Sequence, residues 1–259
     1  MIPRIGILGT GHIATFVCRG LRRMGWQGNL IVSPHNNDKA SLFSERFNAV
    51  VGSSNQDVVD QSDIVMVSVR AGQQEILLSD VIWPDHVVLL SVMAGVTREE
   101  LETLVGDQVE IVRAMPVSAA EIGKSPTVLF PAHSEVQRLL STVGSVIPFG
   151  TEAEFEAATI NAAVYGWLFD LIDELITVNI SAGLSADQSR EVVAGTLEAA
   201  SAVAAQSHVD SGQLIRSLAT PGGITEQGLN VIQSREANAA WSAAFQSVLD
   251  RIRPEHSGK

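Results

Sequence analysis

The 259-residue chain contains a single cysteine, Cys18, and a single tyrosine, Tyr165. One cysteine excludes an internal disulfide framework and any thiolate metal cluster, and it suits a reducing compartment, the cytoplasm. Positive charge is scarce as well: 17 Lys and Arg stand against 29 Asp and Glu, a net charge of −12. A field of that sign repels nucleic-acid phosphates and anionic lipid, so neither is an expected partner. The six histidines form no i, i+4 pair and have no carboxylate companion at ligand spacing, so no metal site is expected. No long apolar run is free of charge. The most apolar stretch, 157–178, contains Asp170, Asp173 and Glu174, which would be costly in lipid. It reads as a core helix, and the opening residues show no signal-peptide pattern.

What the chain has is apolar residues in quantity, 46%, arranged in two styles. Up to about residue 150, short β-rich runs alternate with amphipathic segments. The expected strands are 4–8, 30–32, 49–51, 64–68, 87–91, 110–113, 127–130 and 146–149. Between them, 13–24, 39–47 and 98–104 read as helices. Such alternation predicts βαβ units and a parallel sheet. The first, fourth and fifth runs are continuously apolar, as strands buried on both faces are. After residue 150 the β-type runs disappear. Expected helices are 154–182, with a break near Asn161, then 186–206, 212–219, 225–234 and 237–253, before a frayed tail, 254–259. The fold class is therefore α/β over 1–150, a doubly wound sheet, followed by an all-α domain over 151–259. Two long apolar helices cannot bury their faces alone, so the second domain is expected to form a homodimer, with higher assembly open.

The first strand runs into Gly9-Thr10-Gly11-His12-Ile13-Ala14, a G-x-G-x-x-A sequence in strand–turn–helix context. The first glycine permits a tight turn. Gly11 lets backbone N–H groups approach a pyrophosphate, Ala14 lets the helix pack closely, and the helix N-terminus attracts the anion. The alternative is a tight turn without a ligand. After the second strand, an NAD enzyme places a carboxylate for the ribose hydroxyl. Here Ser33, His35, Asn36 and Lys39 stand in that region, and Asp38 is expected to cap the next helix. Polar donors without a carboxylate favour NADPH, with NADH possible.

Three further segments complete a pattern: Val67-Ser-Val-Arg70-Ala-Gly-Gln73, Val112-Arg-Ala-Met115-Pro116 and Ala219-Thr-Pro221-Gly222-Gly223-Ile-Thr225-Glu-Gln-Gly228. With the glycine loop, in this order and spacing, the chain resembles the pyrroline-5-carboxylate reductase family. The resemblance implies reduction of a five-membered cyclic imine by NAD(P)H, a Rossmann domain, and a helical domain that forms an intertwined dimer. It places Arg70, Met115 and Pro116 beside the nicotinamide. It places the substrate carboxylate at Pro221-Gly222-Gly223, where backbone N–H groups at a helix start suit an anion. Thr225 matches the threonine that contacts substrate near the imine nitrogen; the alternative is a helix cap.

Three segments depart from the family pattern. Met-Pro-Asn-Thr-Pro is here Met115-Pro116-Val117-Ser118-Ala119, with Glu121 following. Ser-Gly-Ser-Gly-Pro-Ala-Tyr is Asn161-Ala-Ala-Val-Tyr165-Gly-Trp167, and Val-Lys-Pro-Gln is Val69-Arg70-Ala71-Gly72-Gln73. Tyr165 and Glu121 are candidate proton donors near the nicotinamide; helix packing and a solvated face are the alternatives. Asn161 is a candidate hydrogen-bond donor to substrate, or a helix break. Two other readings stay open: a reductase of a larger imine, admitted by Ala162 and Ala163, and a cofactor-binding regulatory protein on the same scaffold.

Overall fold

The computed structural model describes residues 2–252. Among the described residues the strands are β1 (Ile5–Leu8), β2 (Leu30–Val32), β3 (Val50–Val51), β4 (Ile64–Val67), β5 (Val88–Ser91), β6 (Glu110–Met115), β7 (Ser125–Phe130) and β8 (Gly144–Pro148). The helices of this part are α1 (His12–Arg23), α2 (Asn37–Phe47), α3 (Asn55–Asp60), α4 (Gln74–Leu78), α5 (Arg98–Val105), α6 (Ser134–Leu140) and α7 (Glu152–Thr159). Then come α8 (Asn161–Ser181), α9 (Ala186–Gln206), α10 (Ser211–Leu218), α11 (Ile224–Ser234) and α12 (Ala237–Ile252). Arg253 and the tail 254–259 lie outside the described residues.

Every strand expected from the sequence forms, in the order β3-β2-β1-β4-β5-β6-β7-β8. The sheet is mixed rather than parallel, because β7 runs antiparallel to β6. The link between them, 116–124, holds only a short 3-10 turn, Ser118–Ile122, and a parallel return needs a crossover of a dozen or more residues. Helices α3, α4 and α6 escaped the sequence reading. They have 6, 5 and 7 residues, too few for an apolar period to show. Asp38 does not cap α2; Asn36 does, its side chain accepting from the Lys39 N–H, while Asp38 stands in the first turn.

Strands β1, β4 and β5 are buried along their whole length. Their alternate side chains feed two cores, one on each face of the sheet. Ile5, Ile7, Met66 and Leu90 pack with Val17, Cys18 and Leu21 of α1. Leu8, Val65, Val67 and Leu89 pack with Val58 and Leu101. Ala14, Val17, Cys18 and Leu21 are buried at i, i+3, i+4, i+7 spacing, one helix face. Cys18 lies wholly inside, and burial pushes its thiol up to about 12. It behaves as a small apolar residue, not a reactive thiolate.

The chain divides into two compact units, one running to Ala162 and including the end of α12 from Leu249, the other spanning Ala163–Val248. In the second unit only Ser189 and Val193 of α9 are buried, and no residue of α8, α10, α11 or α12 is. Leu168, Phe169, Leu171, Leu175 and Val178 of α8 are all exposed in the single chain. No helix among the described residues is long and apolar enough to cross a membrane.

One contact sets how α1 lies under the 3-10 turn. A Cβ built on Gly20 would stand 2.0 Å from the Ala120 carbonyl oxygen. Gly20→Ala is therefore expected to destabilise the first unit by about 1–3 kcal/mol, the cost typical of overpacking. Urea unfolding monitored by tryptophan fluorescence measures it.

Candidate active site

The glycine loop lies where β1 meets α1, against the end of β4. Gly9 adopts φ +93, and a Cβ there would meet the Ser68 carbonyl oxygen at 2.6 Å. Gly11 would bring a Cβ to 2.9 Å from the same oxygen. Both glycines are thus demanded by the protein's own packing. Ala14 is fully buried, as close helix–strand packing requires. Gly11 is the N-cap of α1, supplies no side-chain acceptor, and no acidic residue follows in the first turn. The first N–H groups of a helix lack intrahelical acceptors, so this end is fitted to receive an anion such as a pyrophosphate. Thr10 and Ile13 flank it half-buried, and His12 is exposed on the first turn.

At the end of β2, Ser33 is buried. Its hydroxyl donates to Asn55 Oδ1 at 2.6 Å and accepts from the His35 N–H at 3.3 Å. Asn55 Nδ2 donates to the Leu77 carbonyl at 3.3 Å. These bonds tie the turn after β2 to α3 and α4. Pro34, His35, Ser54, Asn55, Ile76 and Leu77 line a cavity of about 330 Å3 beside it. Asn55 was not among the residues singled out from the sequence. Its signal is faint: a Ser-Ser-Asn run after a strand reads simply as a helix start. Arg70 is exposed, and its backbone N–H donates to Gln73 Oε1 at 3.4 Å, closing the turn after β4.

Strand β6 carries Met115 and Pro116, both buried, to the C-terminal edge of the sheet. Met115 lines a cavity of about 330 Å3 with Val117, Val128, Phe149, Asn161 and Ala162, apolar except for Asn161 and Thr159. Arg113, two residues earlier on the same face of the strand, is 1% exposed. Its guanidinium pairs with Glu152 and, at 3.3 Å, with Glu156, and stands 4.8 Å above the Phe155 ring. Glu152 also accepts the Arg98 N–H at 2.8 Å. Sequence reading passed over Arg113 because one charge inside a β-rich run resembles an edge residue.

The remaining candidates have partners within the protein. Glu121 forms a 2.7 Å ion pair with Arg19. Arg19 lies in the second half of α1, about 10 Å along the helix from the glycine loop, so the 3-10 turn carries Glu121 away from the loop. The helix break falls at Ile160, where α7 ends, and Asn161 Nδ2 donates to the Ala158 carbonyl at 3.0 Å. Tyr165 sits edge-on to Phe169, ring centroids 5.2 Å apart.

At α11 the glycines act differently from expectation. The Gly222 N–H donates to Glu226 Oε2 at 2.7 Å and the Gly223 N–H to the Thr220 carbonyl at 2.9 Å. Both are spent on shaping the turn that follows Pro221, with Gly222 at φ +75. The first helical N–H groups, those of Ile224, Thr225 and Glu226, have no side-chain cap. Thr225 does not cap the helix; Gly223 is the N-cap, and Thr225 stands exposed in the first turn. Among the described residues no group of three or more His, Cys, Asp or Glu is placed to hold a metal ion.

Residues 152–254 match the family model described as pyrroline-5-carboxylate reductase dimerisation, and residues 4–95 match that of NADP oxidoreductase, coenzyme F420-dependent. A pyrroline-5-carboxylate reductase of Mycobacterium leprae is 27% identical, covering 98% of this chain and 96% of its own. That of Aquifex aeolicus is 26% identical, with 90% and 89% covered. The crystal structure of the Streptococcus pyogenes reductase superposes with a TM-score of 0.87 at 24% identity, covering 98% of this chain and 99% of the other. Two matched regions flanking β6, and relatives aligned end to end, make the chain similar along its whole length to pyrroline-5-carboxylate reductases.

Proposed function

We propose that this chain is an NADPH-dependent reductase of a cyclic imine, with pyrroline-5-carboxylate as substrate and proline as product. The observation that carries this reading is a pair of glycine-led helix starts, α1 and α11, in a chain whose first part matches an NADP oxidoreductase model and whose second part matches pyrroline-5-carboxylate reductase dimerisation. Relatives of this length and order bear the name pyrroline-5-carboxylate reductase, and the related structure from Plasmodium falciparum has NADP bound.

Bound NADPH supplies the hydride. The first-turn N–H groups of α1, reached over Gly9 and Gly11, hold the pyrophosphate. Ser33, His35 and Asn36 hold the adenosine end, with Asn55 fixing Ser33 from behind. Arg70, Met115 and Pro116 flank the nicotinamide and keep water from it. The N–H groups of Ile224–Glu226, at the Pro221–Gly223 turn of the partner subunit, receive the substrate carboxylate. The Thr225 hydroxyl orients the imine nitrogen. A protonated imine needs no further proton as its carbon accepts hydride and the C=N bond becomes C–N, so catalysis is chiefly positioning and charge stabilisation. Tyr165 and Asn161 complete the substrate wall, and Glu121 serves the fold through Arg19.

The matched dimerisation region and the exposed apolar face of α8 support a homodimer. A small-molecule partner, rather than nucleic acid or membrane, suits the acidic surface, and one buried cysteine suits the cytoplasm. A larger imine is the second reading. Val117, Asn161 and Ala162, which depart from the family pattern, line the apolar cavity beside Met115.

NADPH oxidation followed at 340 nm with racemic pyrroline-5-carboxylate is expected to yield proline. Thr225→Ala is expected to lower kcat about 10²-fold, the scale of a misplaced reactant. Oxidation of NADPH with other imines but none with this one contradicts the substrate, and full activity of the variant removes Thr225 from its role. Asn55→Ala releases Ser33 and forfeits about 0.5–1.5 kcal/mol. Its expected signature is a several-fold rise in KM for NADPH with KM for the imine unchanged.

A further inference from the structure

The ion cluster on β6 lies outside the machinery just described, yet it touches the strand that would carry hydride transfer. Arg113 and Met115 are two residues apart, so their side chains leave β6 on the same face. Met115 packs with Val128 and Phe155 in one cluster. Phe155 is 1% exposed, and the Arg113 guanidinium stands over its ring. One aromatic ring therefore touches the buried cation and belongs to the cluster of Met115. Glu152 and Glu156, one turn apart on α7, hold the cation from the other side. The Arg98 N–H at the start of α5 donates to Glu152 and holds that carboxylate in turn. The last turn of α7 and the start of α8, through Ala158, Asn161 and Ala162, wall the cavity that Met115 floors.

We infer that Arg113 is a positioning residue for hydride transfer: with Glu152, Glu156 and Phe155 it locks α7 against β6 and fixes Met115 and Pro116 beside the nicotinamide. This rests on the reading of Met115–Pro116 given above. A purely stabilising role does not explain the expense of the arrangement. Burying an ion cluster costs desolvation that its own attraction barely offsets, and apolar replacements of such clusters are often neutral or stabilising. The Arg113 Nε–H donates to no protein acceptor. What the cluster supplies that apolar packing does not is a single fixed position for α7 relative to the strand.

The test separates stability from position. A triple variant, Arg113→Met with Glu152→Gln and Glu156→Leu, removes the cluster without leaving a lone buried charge. Phe155→Leu removes the ring alone, and Arg113→Lys keeps the charge without the planar contact. Thermal unfolding, NADPH affinity by fluorescence titration, and kcat with its primary isotope effect from C4-deuterated NADPH are measured on each. The triple variant and Phe155→Leu are expected to fold and to bind NADPH as the wild type does. Their kcat is expected to fall about tenfold or more, with a larger isotope effect as hydride transfer becomes the slow step. Arg113→Lys is expected to recover part of the loss. Unchanged kcat and isotope effect in folded variants overturn the inference. So does a loss of kcat that follows thermal stability alone. If the triple variant does not fold, Phe155→Leu and Arg113→Lys decide by the same two outcomes. Wild-type chain that neither binds nor oxidises NADPH overturns the underlying reading instead, before any variant is compared.

Discussion

One buried cation joins β6 to the helix that follows the sheet. Arg113 sits in the sheet interior at 1% exposure, with two carboxylates and an aromatic ring around it. Through Glu152 it holds the start of α7 and, by way of the Arg98 N–H, the start of α5. Through Phe155 it reaches the cluster that contains Met115. The antiparallel turn of β7 then closes the other wall, because a short link returns the chain beside β6. Strand, helix and cavity are thus set by contacts that converge within a few residues of one another.

The net charge of −12 gives this organisation a second constraint. The proposed ligands, a dinucleotide phosphate and a carboxylate, are anions, and the overall field opposes them. Local donors must overcome it. Helices α2, α3, α5, α7, α9 and α10 begin with Asn, Ser, Thr or Asp side chains that occupy their own first N–H groups. Helices α1 and α11 begin with glycine and do not. At α11 the adjoining N–H of Gly222 is filled by Glu226, so the turn is shaped from within and the anion is left to the first helical residues. Under the proposed reading, these two glycine-led starts are where the anions bind.

Much of this was legible in the sequence. The strand cores were readable because β1, β4 and β5 are apolar throughout, as double burial requires. The glycine loop was readable because its spacing and flanking elements match a known physical need. The direction of β7 was not, since orientation is decided by the link rather than by the strand. Asn55 and Ser33 are 22 residues apart, and no local pattern announces a side-chain bond over that distance. The ion pair of Glu121 with Arg19 joins residues 102 positions apart and was equally invisible. Arg113 went unnoticed because its partners arrive 39 and 43 residues later. Chemistry carried by adjacent residues was visible, and chemistry assembled by the fold was not.

The central claim is that hydride passes from NADPH to the imine carbon of pyrroline-5-carboxylate. The most direct measurement is a single-turnover mixing of the chain with NADPH deuterated at both C4 positions and with pyrroline-5-carboxylate, followed by mass spectrometry and NMR of the product. The account predicts proline carrying one deuterium on the ring carbon of the former C=N bond. Unlabelled product, or labelled nicotinamide left unconsumed beside intact pyrroline, would contradict it.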